Sequence, residues 1–206
     1  MGTANRNATE QELMQMEQLA QQAMKDGAAG MSTGLIYIPG TYAPTSEIVR
    51  LAKVVSNNGG VYSSHIRYEE DKVVDAINEA INIGREANIP VEISHFKVSG
   101  QNNWGRSKET LPLVENARKE GIDVTIDQYP YTASSTNLGV MLPSEVLSDG
   151  QDSIMARLKN PAIRERVKAH SIDIIKKRID FLKLFIIGYR VNYIGKTNKN
   201  HFNNKT

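Results

Sequence analysis

The sequence predicts an α/β fold: a partial TIM-like (β/α) barrel of about four β/α units around a parallel sheet. Three observations carry this. Strand-like apolar runs begin near residues 61, 91 and 124, with a possible earlier one near 29. A stretch long enough for one helix separates successive runs, and helical crossovers require parallel pairing. Two of the runs, Val61-Tyr62-Ser63-Ser64-His65 and Val91-Glu92-Ile93-Ser94-His95, end on a histidine at the same offset from a turn signal, Gly59-Gly60 and Ile89-Pro90. A complete eightfold barrel needs about 250 residues, so four units make about half of one.

Each element follows from local chemistry. Thr9 and Glu12 have capping-box spacing, and Leu13, Met16, Ala20 and Met24 recur at helical intervals before Gly27. Ala28 to Leu35 is apolar, but its two internal glycines weaken a strand reading. Pro39-Gly40 marks a turn in the loop Tyr37 to Pro44. Thr45 is expected to cap a second helix carrying Ile48, Leu51, Ala52 and Val55, ended by Asn57-Asn58-Gly59-Gly60. A third helix presents Val73, Ile77, Ala80 and Ile81 on one face. A fourth runs from about Lys108 to Glu120, after a loop at Gly100 to Ser107 that holds Trp104, the chain's one tryptophan. Val124 to Asp127 then reads as a strand, and Ser153 to Ala169 as charged helix broken at Pro161.

The strand–helix rhythm stops near residue 170. The division expected is 1–170 as partial barrel and 171–206 as a divergent tail rich in lysine and asparagine. Apolar content of 40% and charged content of 23% are those of an ordinary globular protein. A net charge of +2 gives no argument for nucleic acid or a membrane surface. No apolar run approaches the ~20 residues that span a bilayer. The absence of cysteine rules out disulfides and thiolate ligands within these residues. The Met1 to Arg6 segment lacks a secretory apolar core, so a cytoplasmic location is the expectation.

Matching positions on adjacent parallel strands bring His65 and His95 to the carboxyl end of the sheet, where β/α barrels do their chemistry. Two neutral imidazoles converging there suit a metal ion; either one alone reads first as a hydrogen-bonded core or strand-end residue, and the matched pair brings a metal or catalytic site level with that reading. Lys97 is two residues beyond His95, on the same side of an extended segment. It is either a solvated lysine or a cation facing a substrate carboxylate. Asp127 ends its strand as a ligand, a base or a helix cap. Tyr129, Tyr131, Ser134 and Ser135 form a hydroxyl-rich loop leaving the same end, and Tyr37 sits in an earlier loop. No nucleotide-binding glycine motif and no Gly-x-Ser-x-Gly elbow occurs.

These segments together resemble the N-acyl-D-amino-acid deacylases, or D-aminoacylases, of the amidohydrolase superfamily. The resemblance rests on Gly30-Met31-Ser32-Thr33-Gly34-Leu35-Ile36-Tyr37, Ser64-His65-Ile66-Arg67, Ile93-Ser94-His95-Phe96-Lys97, Asn103-Trp104-Gly105, and Asp127 through Thr136. They fall in order and cover about residues 1 to 170. The resemblance implies a metal-dependent β/α barrel, a zinc cofactor and hydrolysis of the amide bond of a small N-acyl-D-amino acid. By position, His65 and His95 look like the metal-binding histidines of the fifth and sixth strands. Lys97, Tyr129 and Ser135 look like contacts to the substrate carboxylate, and Tyr37 like part of its pocket.

The chain departs from that pattern in ways that bear on activity. The family's site also uses an upstream His-x-His, a bridging cysteine and a downstream aspartate as general base; this chain has no His-x-His and no cysteine. The expectation is a central piece of a deacylase, such as a truncated or frameshifted gene produces, inactive or nearly so alone. The competing readings are a non-catalytic remnant or binding module, and a hydantoinase-like or dihydroorotase-like activity. The Tyr129-Pro130-Tyr131 and Asn103-Trp104-Gly105 segments weigh against the latter.

Overall fold

A computed structural model describes residues 2–131 and 135–177, and the fold is stated for these. Ser134 and most of the expected tail lie outside them. The elements alternate as expected: α1 (Glu10–Lys25), β1 (Gly30–Gly34), α2 (Thr45–Ser56), β2 (Val61–His65), α3 (Val73–Ala87), β3 (Val91–Ile93), α4 (Ser107–Lys119) and β4 (Val124–Ile126), then α5 (Gln151–Lys159) and α6 (Pro161–Lys177). The strands form one parallel sheet in sequence order. Helices α1 to α4 pack side by side in a layer, with α2, α3 and α4 lying on the sheet. This is the β/α rhythm of a barrel wall, with β1 and β4 as edges among the described residues.

The Thr9 capping box forms in both directions, with the Glu12 amide donating to the Thr9 hydroxyl and the Glu12 carboxylate accepting from the Thr9 amide. Thr45 does not cap α2: Pro44 holds that position, and the Thr45 hydroxyl donates to Glu79 Oε1 at 2.8 Å instead. Pro161 begins α6 as first-turn prolines do, and Asn160 Oδ1 accepts from the Ala162 and Ile163 amides. The helix crosses the boundary expected at residue 170.

The glycines that weakened the β1 reading turn out to permit it. A Cβ at Gly30 would collide with the Val61 carbonyl of β2, so only glycine lets the two backbones pair there. Gly84 serves the helix layer likewise: its Cβ would lie 2.5 Å from Val91 Cγ2. The core is the space between sheet and helices. Tyr62, Ser64, Val91, Ile93 and Val124 project into it from the strands, and Ile48, Ala52, Ile77, Ala80 and Ile81 meet them from the helices, all buried.

The strand register differs from the expected one by a residue. Equal offsets predict Val61 opposite Val91; the structure pairs Tyr62 with Val91 and Ser64 with Ile93. Register follows the buried face, and this pairing puts all four of those side chains on the helix side. Strand β3 therefore ends at Ile93, and His95 lies one position beyond the level of His65.

Candidate metal centre

The one-residue slip would send His95 to the wrong side of the sheet if the chain stayed extended. It does not. His95 has φ = 43°, in the left-handed region, which is uncommon for a residue with a Cβ and costs about 1–3 kcal/mol. The surroundings hold it there. The Asp127 carboxylate accepts the His95 amide, the Asp127 carbonyl accepts the Phe96 amide at 2.9 Å, and the Asp127 amide donates to Ile93 O. Asp127 is thus neither a helix cap nor one of the groups gathered at the histidines; it fixes the turn that redirects His95.

With that turn, the two imidazoles meet. His65 Nδ1 and His95 Nε2 are 2.7 Å apart, and the rings lie edge to face at 4.3 Å between centroids. Tyr37 packs against the other side of His65, 4.9 Å between ring centres, and its hydroxyl bonds Thr136 Oγ1 at 3.0 Å. Burial is the main influence on His65; it pushes the imidazole below its usual pKa, with Glu69 opposing. A neutral ring is the form that binds metal.

Lys97 is no free surface lysine. Its ammonium lies 2.5 Å from Glu69 Oε1, 3.1 Å from His95 Nδ1, and 5.5 Å from the centre of the Tyr129 ring. Tyr129 in turn faces His95 at 6.5 Å. Ser135 is exposed and hydrogen-bonds to none of the described residues, although its neighbour Thr136 reaches Tyr37. His65, His95, Lys97, Tyr129 and Tyr37 therefore form one group, and Ser135 stands apart from it. Tyr37 also lines a cleft of about 600 Å³ with Leu35, Pro39 and Ile48, which contains neither histidine.

Glu69 joins this group, a residue that the strand pattern does not single out. This carboxylate follows β2 by four residues, and its Oε1 lies 3.1 Å from His95 Nδ1 and 3.8 Å from His65 Nε2. A carboxylate one short loop after a strand-end histidine was the available signal. Its loop is held from the next unit: the Ser99 amide donates to Glu69 O, Asn103 Nδ2 to Asp71 Oδ1, and Arg106 to the Glu70 and Asp71 carbonyls. Asn103 is buried in that role, whereas Trp104 beside it is 73% exposed. Arg67 ties down the same rim. It makes a two-pronged pair with Glu79 on α3, both contacts 2.9 Å, and donates to the Thr41 and Ala43 carbonyls of the loop after β1. The Glu79 hydrogen bond raises the Arg67 pKa further above its usual value.

His65, Glu69 and His95 are a group that could hold a metal ion. The donor chemistry suits one: two imidazoles with a carboxylate behind them, in a partly buried site. His65 Nε2 has no hydrogen-bond partner although it is buried, an orphan that marks the group as incomplete as it stands.

A parallel β/α sheet with paired histidines at the carboxyl ends of adjacent strands is the arrangement of a β/α-barrel wall with a candidate metal site at the end where such barrels do their chemistry. Comparison with known proteins narrows it. The chain is 48% identical over 138 residues to the D-aminoacylase of Alcaligenes xylosoxydans xylosoxydans, covering 67% of this chain and 28% of that protein. A crystal structure of D-aminoacylase, described as defining a novel subset of amidohydrolases, matches with a TM-score of 0.62 and 46% identity over 65% of this chain and 28% of that one. The N-acyl-D-glutamate deacylase of Bordetella bronchiseptica, solved with zinc and a phosphonate inhibitor, matches with a TM-score of 0.62 and 41% identity over 63% of this chain and 27% of that one. No protein-family model matches. Over about two thirds of its length, then, the chain is a homologue of the N-acyl-D-amino-acid deacylases of the amidohydrolase superfamily, and it spans little more than a quarter of theirs.

Proposed function

We propose that this chain supplies part of the active site of a zinc-dependent enzyme hydrolysing the amide bond of N-acyl-D-amino acids, with residues 1–170 as its barrel portion. The observation that carries the reading is the gathering of His65, His95, Lys97 and Tyr129 at the carboxyl end of β2, β3 and β4. A metal ligand pair can serve an acyl carbonyl and a cation can serve an α-carboxylate, the two polar ends of an acylated amino acid.

His65 and His95 would hold the metal, which when bound polarises an acyl carbonyl and acidifies a water. Lys97 supplies a positive charge for the α-carboxylate, with the Tyr129 ring beside its ammonium. Tyr37, packed on His65, walls the same region. Ser135 is the further residue proposed to contact the carboxylate. Placing the carboxylate at Lys97 and the carbonyl at the histidines fixes two points of the substrate, and the third substituent then distinguishes D from L. Among these residues no carboxylate is free to act as base: Glu69 is committed to Lys97 and Asp127 to the His95 turn. The 206-residue chain alone is therefore expected to bind without turning over at a useful rate.

The test titrates the zinc-supplied chain with N-acetyl-D-leucine and N-acetyl-D-glutamate, and with their L enantiomers, while recording backbone amide and histidine NMR shifts. The reading predicts selective shifts around His95, Lys97 and Tyr129 for D compounds, lost in Lys97→Met. Equal response to both enantiomers, or shifts untouched by the Lys97 change, would reject the substrate assignment. Robust release of D-amino acid by the chain, abolished by His65→Ala, would show that a base is present after all.

A further inference from the structure

Among the described residues the sheet is open at both sides, with β1 at one edge and β4 at the other. The Ala29 carbonyl and Leu35 amide turn toward β2, so by the two-residue period the backbone groups of Gly30 and Ser32 face outward. The Asp123 carbonyl and Asp127 amide turn toward β3, so those of Val124 and Ile126 face outward likewise. At that second edge Arg118 on α4 donates to the Val124 carbonyl at 2.6 Å, as charged side chains guard edge strands.

The helix layer is out of step with the strands. Helix α2 lies over β1 and β2, and α1 packs on its outer side, so α1 overhangs the β1 edge. It buries no residue. Glu10, Glu17 and Gln21 reach Arg50 and Asn58 from one side of α1; by the helical period Leu19 projects from the opposite side, 70% exposed. Beneath the overhang runs the cleft of about 600 Å³, lined by Ser32, Thr33 and Gly34 along the β1 edge and by Met16 of α1. A strand edge on one side and a helix above give it the setting of a further strand. The other end of the layer has the converse defect. Glu120, closing α4, reaches Arg85 on α3, while Leu111 projects from the opposite side of α4, 42% exposed. Ile126 shares the covered face with buried Val124 but is exposed, since no described helix follows β4 in the layer.

We propose that two copies of this chain close one eight-stranded parallel barrel about a twofold axis, with β4 of each beside β1 of the other and α1 of each laid over that seam. Each copy holds both halves of the seam, a bare strand at β4 and a surplus helix beyond β1. Four strands and four layer helices double to the eight of each in a closed β/α barrel, and closure removes both edges. Two exposed leucines, Leu19 of one copy and Leu111 of the other, then become neighbours in the helix ring, and α1 covers Ile126. The enclosed face gathers the Ser32, Ser63, Ser94 and Thr125 hydroxyls of both copies around Glu92, whose Oε1 is buried without a partner in the single chain. Both histidine pairs open on the same rim.

Sedimentation equilibrium of the 206-residue chain at micromolar concentration is expected to give twice its 22.9-kDa mass. A monomer overturns the proposal and leaves the seam to a chain of different sequence; a ladder of larger species overturns closure. The absence of cysteine lets a short bismaleimide locate the contact. Leu19→Cys/Leu111→Cys is expected to give a covalent dimer. Leu19→Cys alone and Leu111→Cys alone are expected to give none, because the twofold sets like residues on opposite sides of the barrel. Cross-linking of either single variant to itself, or none in the double variant, overturns the arrangement. Leu19→Glu/Leu111→Glu should weaken association at least about tenfold and Leu19→Glu/Leu111→Lys should restore it, since close like charges repel and opposite charges attract; an unchanged dimer in the first overturns the seam. Should the first not fold, the cross-linking pattern decides, because its substitutions carry no charge.

Discussion

The two faces of the sheet follow different chemistry. The helix-covered face presents Tyr62, Ser64, Val91, Ile93 and Val124, all buried. The other face presents Ser32, Val61, Ser63, His65, Glu92, Ser94 and Thr125, with Val61 44% exposed. Ser63 and Ser94 both donate to Glu92 Oε2, at 2.5 and 2.7 Å, while Glu92 Oε1 is buried without a partner. One face is a finished core. The other is polar, partly satisfied, and ends in the histidine pair. Stability is thus concentrated on the covered side and candidate chemistry on the open side and its carboxyl rim.

The largest expected effect is at the rim. Arg67→Ala leaves the Glu79 carboxylate without its cation, held only by the Thr45 hydroxyl, and frees the loop after β1; a loss of about 3–5 kcal/mol is expected, read from the urea midpoint. On the covered face, Ile93→Ala or Ile77→Ala should cost about 2–5 kcal/mol. On the open face, Thr125→Ala should stay within about 0.5 kcal/mol. Equal losses on the two faces would abolish the contrast. Away from the sheet, Thr9→Ala should remove about 1 kcal/mol of helix capping.

The smallest effect is a pH slope. Hydrogen bonds from Arg6 and the Thr9 amide hold the exposed Glu12 carboxyl well below its usual value. A carboxyl depressed in the folded state adds stability above its unfolded pKa of about 4.3, and loses it as pH falls. Glu12→Gln should therefore flatten the decline of the unfolding midpoint between pH 5 and pH 3. An unchanged slope would show that the capping box contributes nothing measurable to it.

What was legible in the sequence divides along the same line. Helices and covered strand positions announce themselves by apolar period, because burial selects residue type at every turn. The β1 strand was obscured by Gly30, whose reason is a neighbouring backbone that no local pattern records. The register slip was equally hidden, since it depends on which of two strands' faces are buried together. His65, His95 and Lys97 could be picked out by position and resemblance. Glu69 could not: its importance comes from a loop pinned by Ser99, Asn103 and Arg106 from the next unit. Asp127 was visible as a strand-end acid, but its task, holding His95 at positive φ, appears only in three dimensions.

The central claim is that the open face ends in a metal site built from His65 and His95. X-ray absorption at the zinc edge, on the 206-residue chain loaded with one equivalent of zinc, tests it most directly, because imidazole ligands leave a distinctive multiple-scattering pattern. The account predicts two imidazoles in the zinc shell at about 2.0–2.1 Å, with that pattern lost in His65→Ala/His95→Ala. A zinc shell of oxygen alone in wild type, or an imidazole pattern that survives the double substitution, would contradict it.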